Sequence, residues 1–355
     1  MFDMTGMLPF FKLLVAFGVM LAGMRFRLSL ALSILCGALV LGPLFGILPW
    51  LWLESALQGV FQDKAWLLAG IVGTMLLLND MLEESGQGAR LMETLGGCLR
   101  RPAPSLIFFP ALIGLLPMPG GAIFSAPLLR DVTDRLTFDR RLGSGLGPVD
   151  MAVINYWFRH VWELCWPLYP GLILAASLSD IPLLTMVAYG LPGSVLCAGL
   201  GWALLLRPVL RSAACEGCME AVTLDASEET RRTDYWRALR EGMPVLLAIT
   251  GALGLEAAIA SWAPGLHYEF GIIAAMLLAI SCSAVQNRMS ARQLLRLLAR
   301  RRLWTMIAVI FAIFVFKEVL LQTGAITQMG TLAGAGASLF VSAVLLPCLM
   351  ASSRV

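Results

Sequence analysis

Long apolar runs separated by short polar intervals dominate the chain. A helix that crosses a bilayer needs about 20 mostly apolar residues. Runs of that kind predict spans at Met7–Met24, Leu28–Leu48, Ala65–Leu82, Val149–Ala176, Ile181–Leu206, Met243–Trp262, Leu266–Gln286 and Leu303–Leu321. Ser105–Leu129 is also apolar, but Pro117-Met118-Pro119-Gly120-Gly121 interrupts it. Pro and Gly in succession cannot continue a helix. At membrane depth such a break is tolerated where the backbone is buried in protein or lines a cavity. The pattern therefore predicts a re-entrant helical hairpin over about 105–129. Leu339–Met350 is apolar but short. The polar stretch 211–242 reads as a cytoplasmic linker that divides a first repeat, 1–210, from a second part, 243–355.

The charges sharpen this map. All but five of the 26 Lys and Arg residues fall in intervals that lie on one side if Met1 is outside and Ser105–Leu129 does not cross. The five are Lys12, Lys64, Arg159, Lys317 and Arg354. Basic residues collect on the cytoplasmic side, so the linker is expected inside and the N-terminus outside. Met1–Gly6 carries Asp3 and no basic residue, so the first run is expected to stay as a span rather than act as a cleaved signal. The predicted location is the cell (inner, cytoplasmic) membrane, crossed many times. Composition agrees: 59% of the 355 residues are hydrophobic and 14% charged, against roughly a quarter charged in soluble domains. A net charge of +3 gives no reason to expect nucleic acid as a partner. The eight cysteines are scattered, and the pair Cys215 and Cys218 lacks the second pair or nearby His that a metal or redox site needs.

The two parts of the chain resemble each other. Trp66, Leu82 and Gly86 recur 238 positions later as Trp304, Leu320 and Gly324. Asp80 falls opposite Glu318, Ser85 opposite Thr323 and Leu28 opposite Leu266. After a slip of one residue, Met92 to Gly97 aligns with Met329 to Gly334, and Pro110 with Pro347. Five predicted crossings separate the two starts, which makes the copies opposite in orientation. Inverted repeats with broken helices build many secondary transporters. The fold class expected is all-α, a polytopic membrane protein of inverted-repeat transporter architecture with re-entrant hairpins. The second copy stops where a partner of Pro117–Gly121 should follow, and by repeat arithmetic roughly 90 residues are expected beyond it.

Candidate chemistry gathers in two places. In Ile154-to-Gly171, Asn155, Arg159 and Glu163 are spaced to share one helical face, and Arg159 is expected to pair with Glu163. Charges at the centre of a span face the bundle interior or a wet cavity. Pro167 and Pro170 offer no N–H to the carbonyls of Glu163 and Trp166, which would then be free for a cation. The alternative is a structural ion pair near the cytoplasmic end of a span. At Pro117, Pro119, Gly120 and Gly121, small residues admit a ligand close to the backbone, and the helix that follows aims its N–H groups at the tip. Ser125 adds a hydroxyl. That suits a carboxylate; a tight packing turn is the alternative. Asp80, with Asn79, either lines the cavity or marks the membrane boundary, and the boundary is the expectation. His160 and Glu163 form H-x-x-E without the further His of a zinc motif, and neither G-x-S-x-G nor a P-loop is present. No enzyme and no resident metal or cofactor is therefore expected.

The runs Leu115-to-Pro127 and Ile154-to-Glu163, with Pro167-to-Gly171, resemble the family catalogued as domain of unknown function 401, grouped with the ion-transporter superfamily. The resemblance covers most of the chain. It implies an elevator-like secondary transporter with paired re-entrant hairpins. Relatives in that superfamily move citrate, gluconate, lactate or C4-dicarboxylates with Na⁺ or H⁺, and others exchange Na⁺ for H⁺. The expected function is a permease for a small organic anion, coupled to Na⁺ or H⁺. The anion would bind at Pro117–Gly121, Ser125, Asn155 and Arg159, with Glu163, His160 and Asp80 gating or coupling. Its partners would be that anion and the lipid bilayer, with a homo-oligomer left open. A cation/proton antiporter is the first alternative. A non-transporting subunit, a truncated copy or an intramembrane enzyme is the second.

Overall fold

The computed structural model describes residues 8–98, 102–115, 148–179, 181–208, 228–263 and 265–325. They are helical, with no strand among them. Among the described residues, six helices are long and apolar enough to cross a membrane: Leu8–Arg25, Asp63–Glu84, Leu183–Leu206, Tyr235–Ile259, Glu269–Gln286 and Arg301–Gln322. The protein is a polytopic all-α membrane protein.

Two of the expected spans come out differently. Leu28–Leu48 is realised as Leu30–Phe45, which is shorter. Its ends are fixed by the Ser29 hydroxyl, which accepts from Leu32 N, and by left-handed Gly46 at φ 70°. Val149–Ala176 is not one helix. It is α-helical over Pro148–His160, tightens to a 3-10 turn at Val161–Leu164, and becomes helical again at Pro170–Ser179. Pro167 and Pro170 remove the donors a continuous helix needs there. Thirteen helical residues reach about 20 Å, short of a ~30 Å hydrocarbon core. The stretch 211–242 also divides: 211–227 lie outside the described residues, whereas from Glu228 the chain is helical without interruption to Trp262.

The fold separates into two compact units. The first takes residues up to Ala69 together with those from Arg301 onward. It contains α1 (Leu8–Arg25), α2 (Leu30–Phe45), α3 (Pro49–Phe61), the first turns of α4 (Asp63–Glu84), and Arg301–Gln322. Its core joins Ala16, Ala38, Leu41, Ala56, Val315 and Val319. Small side chains let helices approach closely where lipid removes the hydrophobic drive to associate. Gly59 marks the closest approach, since a Cβ there would lie 2.8 Å from the Phe314 carbonyl oxygen. The Trp52 indole donates to the Ala38 carbonyl at 2.9 Å. The Gln62 amide donates to Glu318 at 2.9 Å.

The second unit runs from Gly70 to Arg300. After α4 come α5 (Gln87–Cys98), α6 (Pro102–Leu115), α7 (Pro148–His160), α8 (Pro170–Ser179) and α9 (Leu183–Gly201), which ends in a π turn at Trp202–Leu206. Then follow α10 (Glu228–Trp262), α11 (Glu269–Gln286) and the short α12 (Ala291–Leu298), before α13 (Arg301–Gln322) returns to the first unit. α10 and α11 pack along their length, and Gly251 brings Ala275 within 2.9 Å of where a Cβ would stand. Leu106, Phe109, Ile154, Phe158 and Leu206 close a cluster between α6, α7 and the π turn. One turn design is used twice. Left-handed Arg27 (φ 62°) and Arg288 (φ 50°) each precede, by two residues, a serine that caps the next helix.

Candidate functional site

The break between α7 and α8 is held from two sides by glycines. A Cβ on Gly114 of α6 would collide with the Arg159 carbonyl, and one on Gly190 of α9 with the Leu164 carbonyl. α7 is further tied to α9 by the Trp157 indole, which donates to the Cys197 carbonyl at 2.9 Å. The 3-10 turn is therefore positioned by backbone packed against backbone, where no side chain can relax.

Within this frame the polar groups sort differently from a continuous helix. α7 ends at His160, so Glu163 leaves the face that carries Asn155 and Arg159. Glu163 meets His160 instead, Nδ1 to Oε1 at 2.6 Å, and the Tyr169 hydroxyl also bonds to it. The expected Arg159–Glu163 pair does not form, and Arg159 has no carboxylate partner among the described residues. The Trp166 carbonyl is not open either; it accepts from Tyr169 N at 3.0 Å. What is open is donor capacity. The indole nitrogens of Trp162 and Trp166 are buried and find no acceptor among the described residues. Asn155 is half-buried on α7. Pro117, Pro119, Gly120, Gly121 and Ser125 lie outside the described residues, as do the rest of the hairpin beyond Leu115, the Cys215/Cys218 pair, the second-copy stretch Met329–Gly334, and Leu339–Met350 with Pro347.

Asp80 belongs to a second cluster, at the end of α4. It is 4% exposed, and Arg300 reaches it at 3.3 Å while also pairing with Glu84. A boundary charge reaching for water would be exposed; this one is buried on the most thoroughly buried of the six long helices. Beside it lies a network that the sequence pattern does not reveal. The Gln87 amide donates to the Glu241 carbonyl (2.9 Å) and to Gln286 (2.8 Å), and it accepts from Ser283 (3.0 Å) and Asn287 (2.6 Å). Arg90 binds Glu241 at 3.1 Å and Asn287 at 2.7 Å.

Two further acids, Glu256 on α10 and Glu269 at the start of α11, are each 3% exposed. Their presence inside apolar runs was the signal available in the sequence, because an ionisable residue in a span is by default a functional candidate. No group of three or more His, Cys, Asp or Glu able to hold a metal occurs among the described residues.

No curated protein and no solved structure matches the chain. The profile of the family described as "Protein of unknown function (DUF401)" matches residues 10–217. That match takes in α1 through α9 and more than half of the chain, so this polytopic helical protein belongs to the DUF401 family.

Proposed function

We propose that the protein is a secondary transporter for a small organic anion, coupled to Na⁺ or H⁺, with the anion bound at the α7–α8 break. The observation that carries this reading is the set of uncommitted donors there. Arg159 lacks a carboxylate partner among the described residues, and the indoles of Trp162 and Trp166 are buried without acceptors. An unmatched buried donor costs about 1–3 kcal/mol, and a carboxylate ligand would supply the missing acceptors and the missing charge. Discontinuous helices are where secondary transporters place substrate.

An inverted repeat is part of the same reading, and helix boundaries support it. α4 and α13 are both 22 residues long and start 238 positions apart. Gly86 and Gly324, at that same offset, both take left-handed φ values, 67° and 63°. Arg300, the residue before α13, is bonded to Asp80 and Glu84 near the end of α4.

Uptake of labelled mono-, di- and tricarboxylates into proteoliposomes, under an imposed Na⁺ or pH gradient, tests the proposal. Arg159→Met is expected to abolish uptake. Trp162→Phe and Trp166→Phe are each expected to raise the half-saturating concentration about tenfold, one hydrogen bond's worth. If no carboxylate moves under either gradient, the reading fails. A cation/proton antiporter is the second reading, favoured by the His160–Glu163 contact, which sets an imidazole against a carboxylate at the α7–α8 break. Proton movement on adding Na⁺ without any carboxylate would select it.

A further inference from the structure

Glu256 and Glu269 take no part in the site described above. They approach because α10 and α11 touch backbone to backbone at Gly271. A Cβ there would lie 2.9 Å from the carbonyl carbon of Leu255 and 3.1 Å from Glu256 N. Tyr268, in the intervening turn, feels the charge of both carboxylates. Burial first, then Glu269, then Glu256 push the Tyr268 phenol well above its ordinary range.

Each acid is half satisfied. Glu256 Oε1 accepts from Leu184 N at 3.4 Å, covering the start of α9, where the cap residue Pro182 offers no side-chain bond. The Tyr268 hydroxyl bonds to Glu269. The remaining oxygen of each acid, Glu256 Oε2 and Glu269 Oε2, is buried without a hydrogen-bond partner. No Lys or Arg pairs with either among the described residues. The nearest basic group to Glu269 is His267, half exposed, with Nδ1 3.9 Å from Oε2. α9 faces the pair with backbone N–H groups, and the turn faces it with Tyr268 and His267.

Two carboxylates this deeply buried, with no Lys or Arg paired to them among the described residues, cannot both keep a full charge without an offsetting cation. A metal ion asks for more oxygens than the two that are open. A proton asks for only those two, one to carry it and one to accept from it. We propose that Glu256 and Glu269 hold one exchangeable proton between them, forming a proton-binding site at the α10–α11 turn. Uptake of the proton changes the pair from two negative charges to one. Release returns it to water past His267. The use of this proton to drive transport rests on the transport reading, whereas its binding does not.

Infrared difference spectroscopy of the purified full chain, between neutral and strongly alkaline solution, reads the site without any transport assay. The wild type is expected to show a protonated-carboxyl band at neutral pH that shifts in D₂O and disappears in alkali. Glu256→Gln with Glu269→Gln is expected to remove that band while leaving the helical circular dichroism unchanged. A wild type without such a band overturns the proposal even if the variants fail to fold. So does an identical band in the folded double variant. Loss of the band on adding Na⁺ at neutral pH overturns it in favour of a cation site. If the band behaves as expected but no carboxylate is transported, the proton site stands and the transport reading falls.

Discussion

Gln87 is 1% exposed and has a hydrogen-bond partner for its amide nitrogen and its carbonyl oxygen alike. An amide can serve as donor and acceptor at once, which neither a carboxylate nor an ammonium can do. Gln87→Leu leaves the Ser283 hydroxyl without its acceptor and the Glu241 carbonyl and Gln286 without this donor, and the cost expected is about 2–4 kcal/mol, read as a lower thermal midpoint in detergent. Nothing in the local sequence marks Gln87, because its partners lie 154 to 200 residues away. Arg159, by contrast, stood out as a charge inside an apolar run. The pairing with Glu163 expected for it did not form, because a rule for a continuous helix fails once the helix stops at His160. Tyr268 gives a prediction with a definite sign. Its folded-state value lies above the usual 10.0, so its contribution to stability is complete below pH 10.0 and is lost as pH climbs further. The melting midpoint should fall through that alkaline window, and Tyr268→Phe should flatten the fall.

At the scale of elements, the glycines around the 3-10 turn decide its place. Gly190→Ala drives a methyl into the Leu164 carbonyl, a backbone atom that cannot rotate away. Overpacking of this kind costs about 1–3 kcal/mol. Gly193→Ala, one turn along the same helix, meets only the Leu164 side chain at 3.8 Å and should cost nothing. Comparing the two melting midpoints checks the clamp, and equal midpoints would mean that the turn yields. Helix existence was largely legible in the sequence. Apolar length gave α1, α4, α11 and α13 within a few residues. Where the apolar run misled was Val149–Ala176, because hydropathy counts side chains and is blind to missing backbone donors. Pro167 and Pro170 were the visible warning.

At the scale of the whole molecule, the repeat predicts a labelling pattern. In a cysteine-free background, a single cysteine placed at Ser85 should react with an impermeant thiol reagent from one face of the membrane. One placed at Thr323 should react from the other. Reaction of both from the same face would sink the inverted arrangement. The proposed repeat rests on sequence landmarks, Trp66, Leu82 and Gly86, which recur as Trp304, Leu320 and Gly324. The contact of Arg300 with Asp80 and Glu84 could not be read from the sequence, since Arg300 and Glu84 stand 216 residues apart. The Gln87 network also imposes an order on biogenesis. Residues leave the ribosome at about 5–20 per second. The end of α4 therefore waits roughly 10–40 seconds before Ser283, Gln286 and Asn287 emerge to meet it. During that interval Gln87 sits beside lipid or insertion machinery with its amide uncommitted, so the newborn chain passes through a long-lived state in which its first spans are inserted but not yet locked.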